Sequence, residues 1–212
     1  MASHLFLQAG LDPTISVGGI LDAIGGNIRI GSSGHFITEA CEYTNSFLKF
    51  YPTVGIILNI EEDHMDFFKD IDDIRHSFTE FANILPANGT LIINADIDAY
   101  ADIAKNTSCQ VLTYGLDNTS ADFTADNISF DEMGHGSFDV IRNSERGPRF
   151  QLSVVGRHNV SNALACLALA SLYHIDDETV RQALLAFHGT ERRFEYKGEK
   201  NGFTIIDDYA HH

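Results

Sequence analysis

Residues 61–66 read Glu61-Glu62-Asp63-His64-Met65-Asp66. Carboxylates and an imidazole so close together are the donors that a hard or borderline divalent cation takes. They follow an apolar run, Val54-Gly55-Ile56-Ile57-Leu58-Asn59-Ile60. That run predicts a buried parallel strand, central in its sheet. Ligands of open α/β sheets lie beyond the carboxyl ends of such strands, so the acidic stretch stands where a ligand site is expected. The competing reading is a solvated acidic turn that caps the next helix.

Other stretches carry side chains suited to related chemistry. Glu39-Ala40-Cys41-Glu42-Tyr43-Thr44-Asn45-Ser46-Phe47 places a carboxylate at a strand end. Gly156-Arg157-His158-Asn159-Val160-Ser161-Asn162-Ala163 opens an Ala-rich helix. A helix N-terminus with amide side chains suits a nucleotide, while Asn also serves as a plain cap. Arg192-Arg193-Phe194-Glu195 offers two guanidinium groups, and Asp207-Asp208-Tyr209-Ala210-His211-His212 closes the chain. In this order and spacing the motifs closely resemble the Mur ligase family, and within it the alanine-adding branch. The resemblance covers nearly the whole chain. Each motif is weak alone, and the ordered set is specific.

The resemblance implies the central ATPase domain of a three-domain ligase. In that family ATP phosphorylates a substrate carboxylate, and the amino group of an incoming amino acid displaces the phosphate. ATP and Mg2+ are the implied cofactors, UDP-N-acetylmuramate and L-alanine the implied substrates, and cytoplasmic peptidoglycan synthesis the implied setting. Glu39 and His64 become magnesium ligands, with His64 also at the reacting centre. Asp63 and Asp66 support them, and Glu42 is the carboxylate the family pattern passes over. His158, Asn159 and Asn162 contact adenine, Asp208 meets the ribose, and Arg192 and Arg193 stabilise the transferring phosphate. The His211-His212 pair reads as native sequence, given the Asp-Asp-Tyr-Ala before it. Several family members carry a modified lysine about 14 or 15 residues past the metal histidine; this sequence has Phe78 and Thr79 there, as the alanine-adding branch lacks that lysine too.

The family's phosphate-binding loop, G-x-x-G-K-T/S, does not occur. Gly18-Gly19 and Gly25-Gly26-Asn27 are followed by no Lys-Thr or Lys-Ser. The resemblance therefore implies that residues 1–189 are a central ATP-binding domain lacking its phosphate loop. Residues 190–212 would be the hinge and first strands of a truncated C-terminal domain. The partners would be the missing N- and C-terminal domains of the parent chain. Such a fragment is expected to be inactive alone and to expose apolar surface near Leu5, Phe6, Phe203 and Ile205. The alternatives are another Mur-type ligase, such as the one recycling murein tripeptide, the related folylpolyglutamate synthase, or a non-catalytic nucleotide- or metal-binding module.

The elements that must position these residues alternate between strand and helix. A helix over 1–9 stops at Gly10, and short strands follow at 14–17 and 36–40. Beyond the strand at 54–60, apolar spacing predicts a helix over 74–85. Strands at 90–94 and 110–114 flank a helix at 99–104. Segments 121–130, 136–142 and 149–154 alternate polar and apolar and predict an antiparallel set added to the sheet. Helices follow over 159–173 and 176–186, the second capped by Asp176. Two short strands, 194–196 and 203–206, end the chain. The fold class is α/β: a mostly parallel sheet flanked by helices, with a small antiparallel sheet appended.

Composition bounds the partners. At 44% hydrophobic, 212 residues suffice for a proper core. Fourteen basic against thirty acidic residues give a net charge of −16, which argues against nucleic acid or an anionic membrane surface. Three scattered cysteines with no C-x-x-C argue against a disulfide framework or a Cys-based zinc site and fit a reducing cytoplasm. No apolar run reaches the roughly 18 residues that span a bilayer.

Overall fold

The computed structural model describes residues 1–209; Ala210, His211 and His212, and with them the reading of the two histidines, lie outside the described residues. The chain begins with α1 (Ala2–Gln8), β1 (Thr14–Leu21), β2 (Gly26–Arg29) and β3 (Phe36–Thr38). A kinked 3-10 helix (Tyr43–Lys49) leads to β4 (Val54–Ile57), α2 (Ile71–Asn83), β5 (Thr90–Asn94), α3 (Tyr100–Ala104) and β6 (Gln110–Tyr114). Then come β7 (Phe123–Phe130), β8 (His135–Arg142), β9 (Glu145–Val155), α4 (Arg157–Leu172) and α5 (Asp177–Ala186). The hairpin β10 (Glu195–Lys200) and β11 (Phe203–Asp207) follows.

One six-stranded sheet, ordered β4-β5-β6-β7-β8-β9, forms the frame. Strands β4 to β7 run parallel, and β7 to β9 form an antiparallel meander. The expected antiparallel set is thus continuous with the parallel sheet through the pairing of Tyr114 with Phe123. Strand β5 shows why both faces need cover. Leu91 and Ile93 point into a cluster with Phe47, Phe81 and Leu85, while Ile92 points into the opposite cluster with Tyr114 and Leu164. Successive strand side chains alternate faces, so an all-apolar strand requires an apolar layer on each side. Helix α4 supplies one layer and is buried nearly all round, from Val160 through Ala170. Helix α5 packs beside it on β9, α1 packs against α5 and α4, and the opposite face is covered by α2 and α3.

A three-stranded sheet, β2-β1-β3, stands beside this frame, with β1 antiparallel to β2 and parallel to β3. Glycines 25 and 26, read as loop, instead close a hairpin through a 3-10 turn at Asp22–Ile24. Helix α2 begins at Ile71, earlier than its apolar spacing indicates, because Asp70 caps it by accepting the Asp73 N–H at 2.9 Å.

Two expectations need correction. Strand β4 is an edge of the six-stranded sheet, not its centre, and it stops at Ile57. Its apolar run is buried by Phe81 and Leu85 of the α2 layer, and the Asn94 side chain, not a ladder amide, donates to the Leu58 carbonyl at 3.0 Å. Leu5 and Phe6 are buried at 1% and 3% exposure, because α1 packs on α4 and α5. Phe203 and Ile205 are exposed as expected. No helix among the described residues is long and apolar enough to cross a membrane.

Candidate functional site

The carboxyl end of β4 delivers the acidic loop, and the segment after β3 runs alongside it. His64 sits at φ 53°. Its N–H donates to the Asp63 carboxylate at 2.7 Å, and its carbonyl accepts from Phe67 and Phe68. The imidazole Nε2 lies 3.5 Å from Glu42 Oε1 and 3.7 Å from Asp63 Oδ2. Ligand atoms of Glu42, Asp63 and His64 all lie within 4.8 Å of one another. The Tyr43 ring stacks on the imidazole, with centroids 4.5 Å apart and planes 29° apart. Its hydroxyl donates to Asp66 at 2.7 Å, a bond that raises the tyrosine's pKa. A cavity of about 240 Å³ opens here, lined by Glu42, Asn59, Glu61, Glu62 and Asp63 against Phe68 and Phe78. Two carboxylates and one imidazole with open space beside them fit a divalent cation.

Glu39 is not in that group. Its N–H donates to Ser16 O at 3.1 Å, and its carboxylate accepts the Gly18 N–H at 2.7 Å. The kink at Thr44 and Asn45, both at φ 55°, lies just beyond Glu42 and Tyr43 in the turn that meets His64. The lysine window holds Phe78, which lines the cavity, and Thr79, whose hydroxyl donates to Arg75 O at 2.8 Å.

The α4 N-terminus forms a second part. Gly156 caps it at φ 93°, and a Cβ there would come within 2.7 Å of the His158 ring. Asn159 does not cap the helix. Its amide donates to the Val155 carbonyl at 2.9 Å, lies 3.2 Å from His158 Nε2, and accepts from Asn162 at 3.2 Å. The three expected adenine contacts are therefore adjacent and linked.

Three residues not singled out in the sequence hold this corner. Asp96, beyond β5, accepts the backbone N–H groups of Leu116, Asp117 and Asn118 at 2.6, 3.1 and 2.7 Å. Asp117 in turn clamps Arg157 at 2.6 and 3.0 Å, and this bond lowers the pKa of its carboxyl. The usable signal was an acid just past one parallel strand and a glycine, Gly115, just past the next. A Cβ at Gly115 would meet Asp96 Oδ1 at 2.8 Å.

The expected phosphate and ribose residues meet in the segment before β10. Arg192, at φ 61°, donates its N–H to Glu195 at 2.9 Å, and its guanidinium lies 5.4 Å from the Tyr209 ring centroid. Arg193 is exposed and donates its N–H to Thr190 O. Asp208 accepts the Phe194 N–H at 2.7 Å.

Comparison with known proteins places this geometry in context. The model of the Mur ligase middle domain matches residues 29–170. The UDP-N-acetylmuramate–L-alanine ligase of Lachnospira eligens is 53% identical over all 212 residues, which cover 46% of that protein. The crystal structure of the UDP-N-acetylmuramate–alanine ligase MurC from Thermotoga maritima superposes with a TM-score of 0.85 at 26% identity, covering 100% of this chain and 47% of that one. A murein peptide ligase from Psychrobacter arcticus superposes at 0.76 with 27% identity, covering 100% of this chain and 48% of that one. The chain thus spans about half the length of the curated relatives it matches. With its ordered motifs, its parallel sheet and a family model matched over most of its length, the chain belongs to the Mur ligase family.

Proposed function

We propose that this chain is the central, ATP-binding part of a ligase that joins L-alanine to UDP-N-acetylmuramate through an acyl phosphate, in cytoplasmic peptidoglycan synthesis. The observation that carries this reading is the alignment of every residue, at about half identity, with proteins of that name. Residues 1–189 form the ATP-binding unit, and residues 190–212 begin the next one.

In this reading a bound Mg2+ offsets phosphate charge while the acyl phosphate forms and breaks. His64 and Glu39 hold the cation, and Glu42 and Asp63 are the additional carboxylates that the geometry brings to His64. His158, Asn159 and Asn162 present the adenine-binding edge of α4. Asp208 serves the ribose. Arg192 and Arg193 supply positive charge to the transferring phosphate, which an acidic chain must concentrate locally.

The test is a chimera in which these 212 residues replace the matching segment of the Lachnospira eligens ligase. The expected result is phosphate release from ATP that requires both UDP-N-acetylmuramate and L-alanine. A folded chimera that is inert, or that accepts only a peptide, would sink the reading. The isolated chain is expected to show no turnover, since it has no phosphate-loop lysine; ligation by the chain alone would refute that part.

A further inference from the structure

We propose that Tyr43 is a positioning residue that fixes the His64 imidazole with Nε2 turned toward Glu42 and Asp63. This rests on the reading of His64 as a cation ligand. A partly exposed imidazole on a turn can rotate about two side-chain bonds, and an unfixed ring holds a cation poorly. Here one face of the ring is closed by Tyr43 at 4.5 Å, near parallel. The tyrosine is pinned at its far end, because its hydroxyl donates to Asp66, two residues past His64. The edge of Phe67 meets it at 6.1 Å. The loop and the tyrosine therefore grip each other at two points.

The grip is anchored in the core. Tyr43 opens the 3-10 helix whose Phe47 is 2% exposed and stacks on Phe81 at 4.9 Å, with Phe78 against its edge. Asn45 of the same turn accepts a hydrogen bond from Ser77 of α2. The imidazole is thus oriented through Tyr43 by a helix packed on the sheet, while the tyrosine hydroxyl is engaged by Asp66.

The experiment uses the 212-residue chain, isotope-labelled, with Mn2+ as probe and paramagnetic broadening of the His64 ring signals as readout. Wild type, Tyr43→Leu, Tyr43→Phe and His64→Ala are compared, with melting curves to check folding and tryptophan-free far-UV spectra to check helix content. Tyr43→Leu is expected to weaken Mn2+ binding about tenfold and to shift the His64 ring signals of the ion-free chain. Tyr43→Phe keeps the stacking face and is expected to recover most of that loss. Wild-type affinity and unshifted ring signals in Tyr43→Leu, with binding lost in His64→Ala, would overturn the positioning role alone. Equal binding by His64→Ala and wild type would overturn the cation reading and the proposal with it. Should Tyr43→Leu not fold, Tyr43→Met decides, since it too lacks the stacking ring: weakened Mn2+ binding with shifted His64 ring signals supports the proposal, and wild-type affinity with unshifted signals overturns it.

Discussion

The carboxylate of Glu39 is seated on the backbone amide of Gly18, 2.7 Å away across the parallel β1–β3 pair. A Cβ at position 18 would come within 2.9 Å of Glu39 Oε2. The obstructed atom is the tip of a flexible side chain, so it yields while the strand stays. Gly18→Ala is therefore expected to lower stability by less than about 1 kcal/mol in a urea melt while unseating the carboxylate, because a partly exposed hydrogen bond is worth little net. A loss of several kcal/mol would mean that the strand itself cannot tolerate the side chain.

Glu39 and Glu42 make separable demands on a cation. Glu42→Gln is expected to weaken Mn2+ binding about tenfold, the usual cost of disturbing a metal site. Glu39→Gln is expected to weaken it less, because its carboxylate is held by Gly18 and lies outside the His64 group. Titration of both variants checks this, and unchanged affinity in Glu39→Gln would remove Glu39 from the ligand set.

The aromatic anchor beneath the site is costly to remove. Phe81 is 5% exposed and stacks flat on Phe47. Phe81→Ala is expected to destabilise the chain by about 3–5 kcal/mol, the range for deleting a buried ring. Denaturant unfolding measures it, and a cost below 1 kcal/mol would show that the layer repacks.

The Arg157–Asp117 clamp lies along the same carboxyl edge of the sheet, beyond β6 and β9. Both partners are more than half exposed. Arg157→Ala is expected to cost less than about 1 kcal/mol of stability, as solvated ion pairs do. Its larger effect should fall on nucleotide affinity, because Arg157 precedes His158 and Asn159 at the start of α4. Equal affinities for an ATP analogue in the variant and the unaltered chain would contradict this.

Acid should destabilise the fold through His4. Burial, then the nearby amino terminus and His188, lower its pKa to about 4 against the opposing pull of Asp22. The unfolded chain therefore binds more protons than the folded one between pH 6.5 and about 4. Stability is full above that window and is lost as pH falls through it. The side chain is only partly buried, so the contribution is on the order of 1 kcal/mol. His4→Gln should flatten this part of the pH–stability curve, and an unchanged slope would assign it to other groups.

Local patterns were the legible part of the sequence. The apolar run of β5, the Ala-rich α4 and the acid–imidazole stretch each declare themselves within a few residues. The place of β4 at a sheet edge did not, because centrality depends on which strands pair with it and not on its own side chains. That Glu42 stands beside His64 was also illegible. It follows from backbone turns at Thr44 and Asn45, where neither residue type demands positive φ. Asp96, Asp117 and Arg157 form a chain of contacts 21 and 40 residues apart in sequence, and no periodicity records such a link.

The segment before β10 rests on β1. Glu191 donates its N–H to the Ile20 carbonyl at 3.4 Å, and Thr190 lies so close to Gly19 that a Cβ there would meet it at 3.3 Å. The next residue back along that strand is Gly18, the seat of Glu39. The segment leading into the hairpin and the carboxylate are therefore geared to the same three residues of backbone. A displacement of Thr190 and Glu191 must either break their contact with Gly19 and Ile20 or haul the strand along, and in the second case the torque arrives at Glu39.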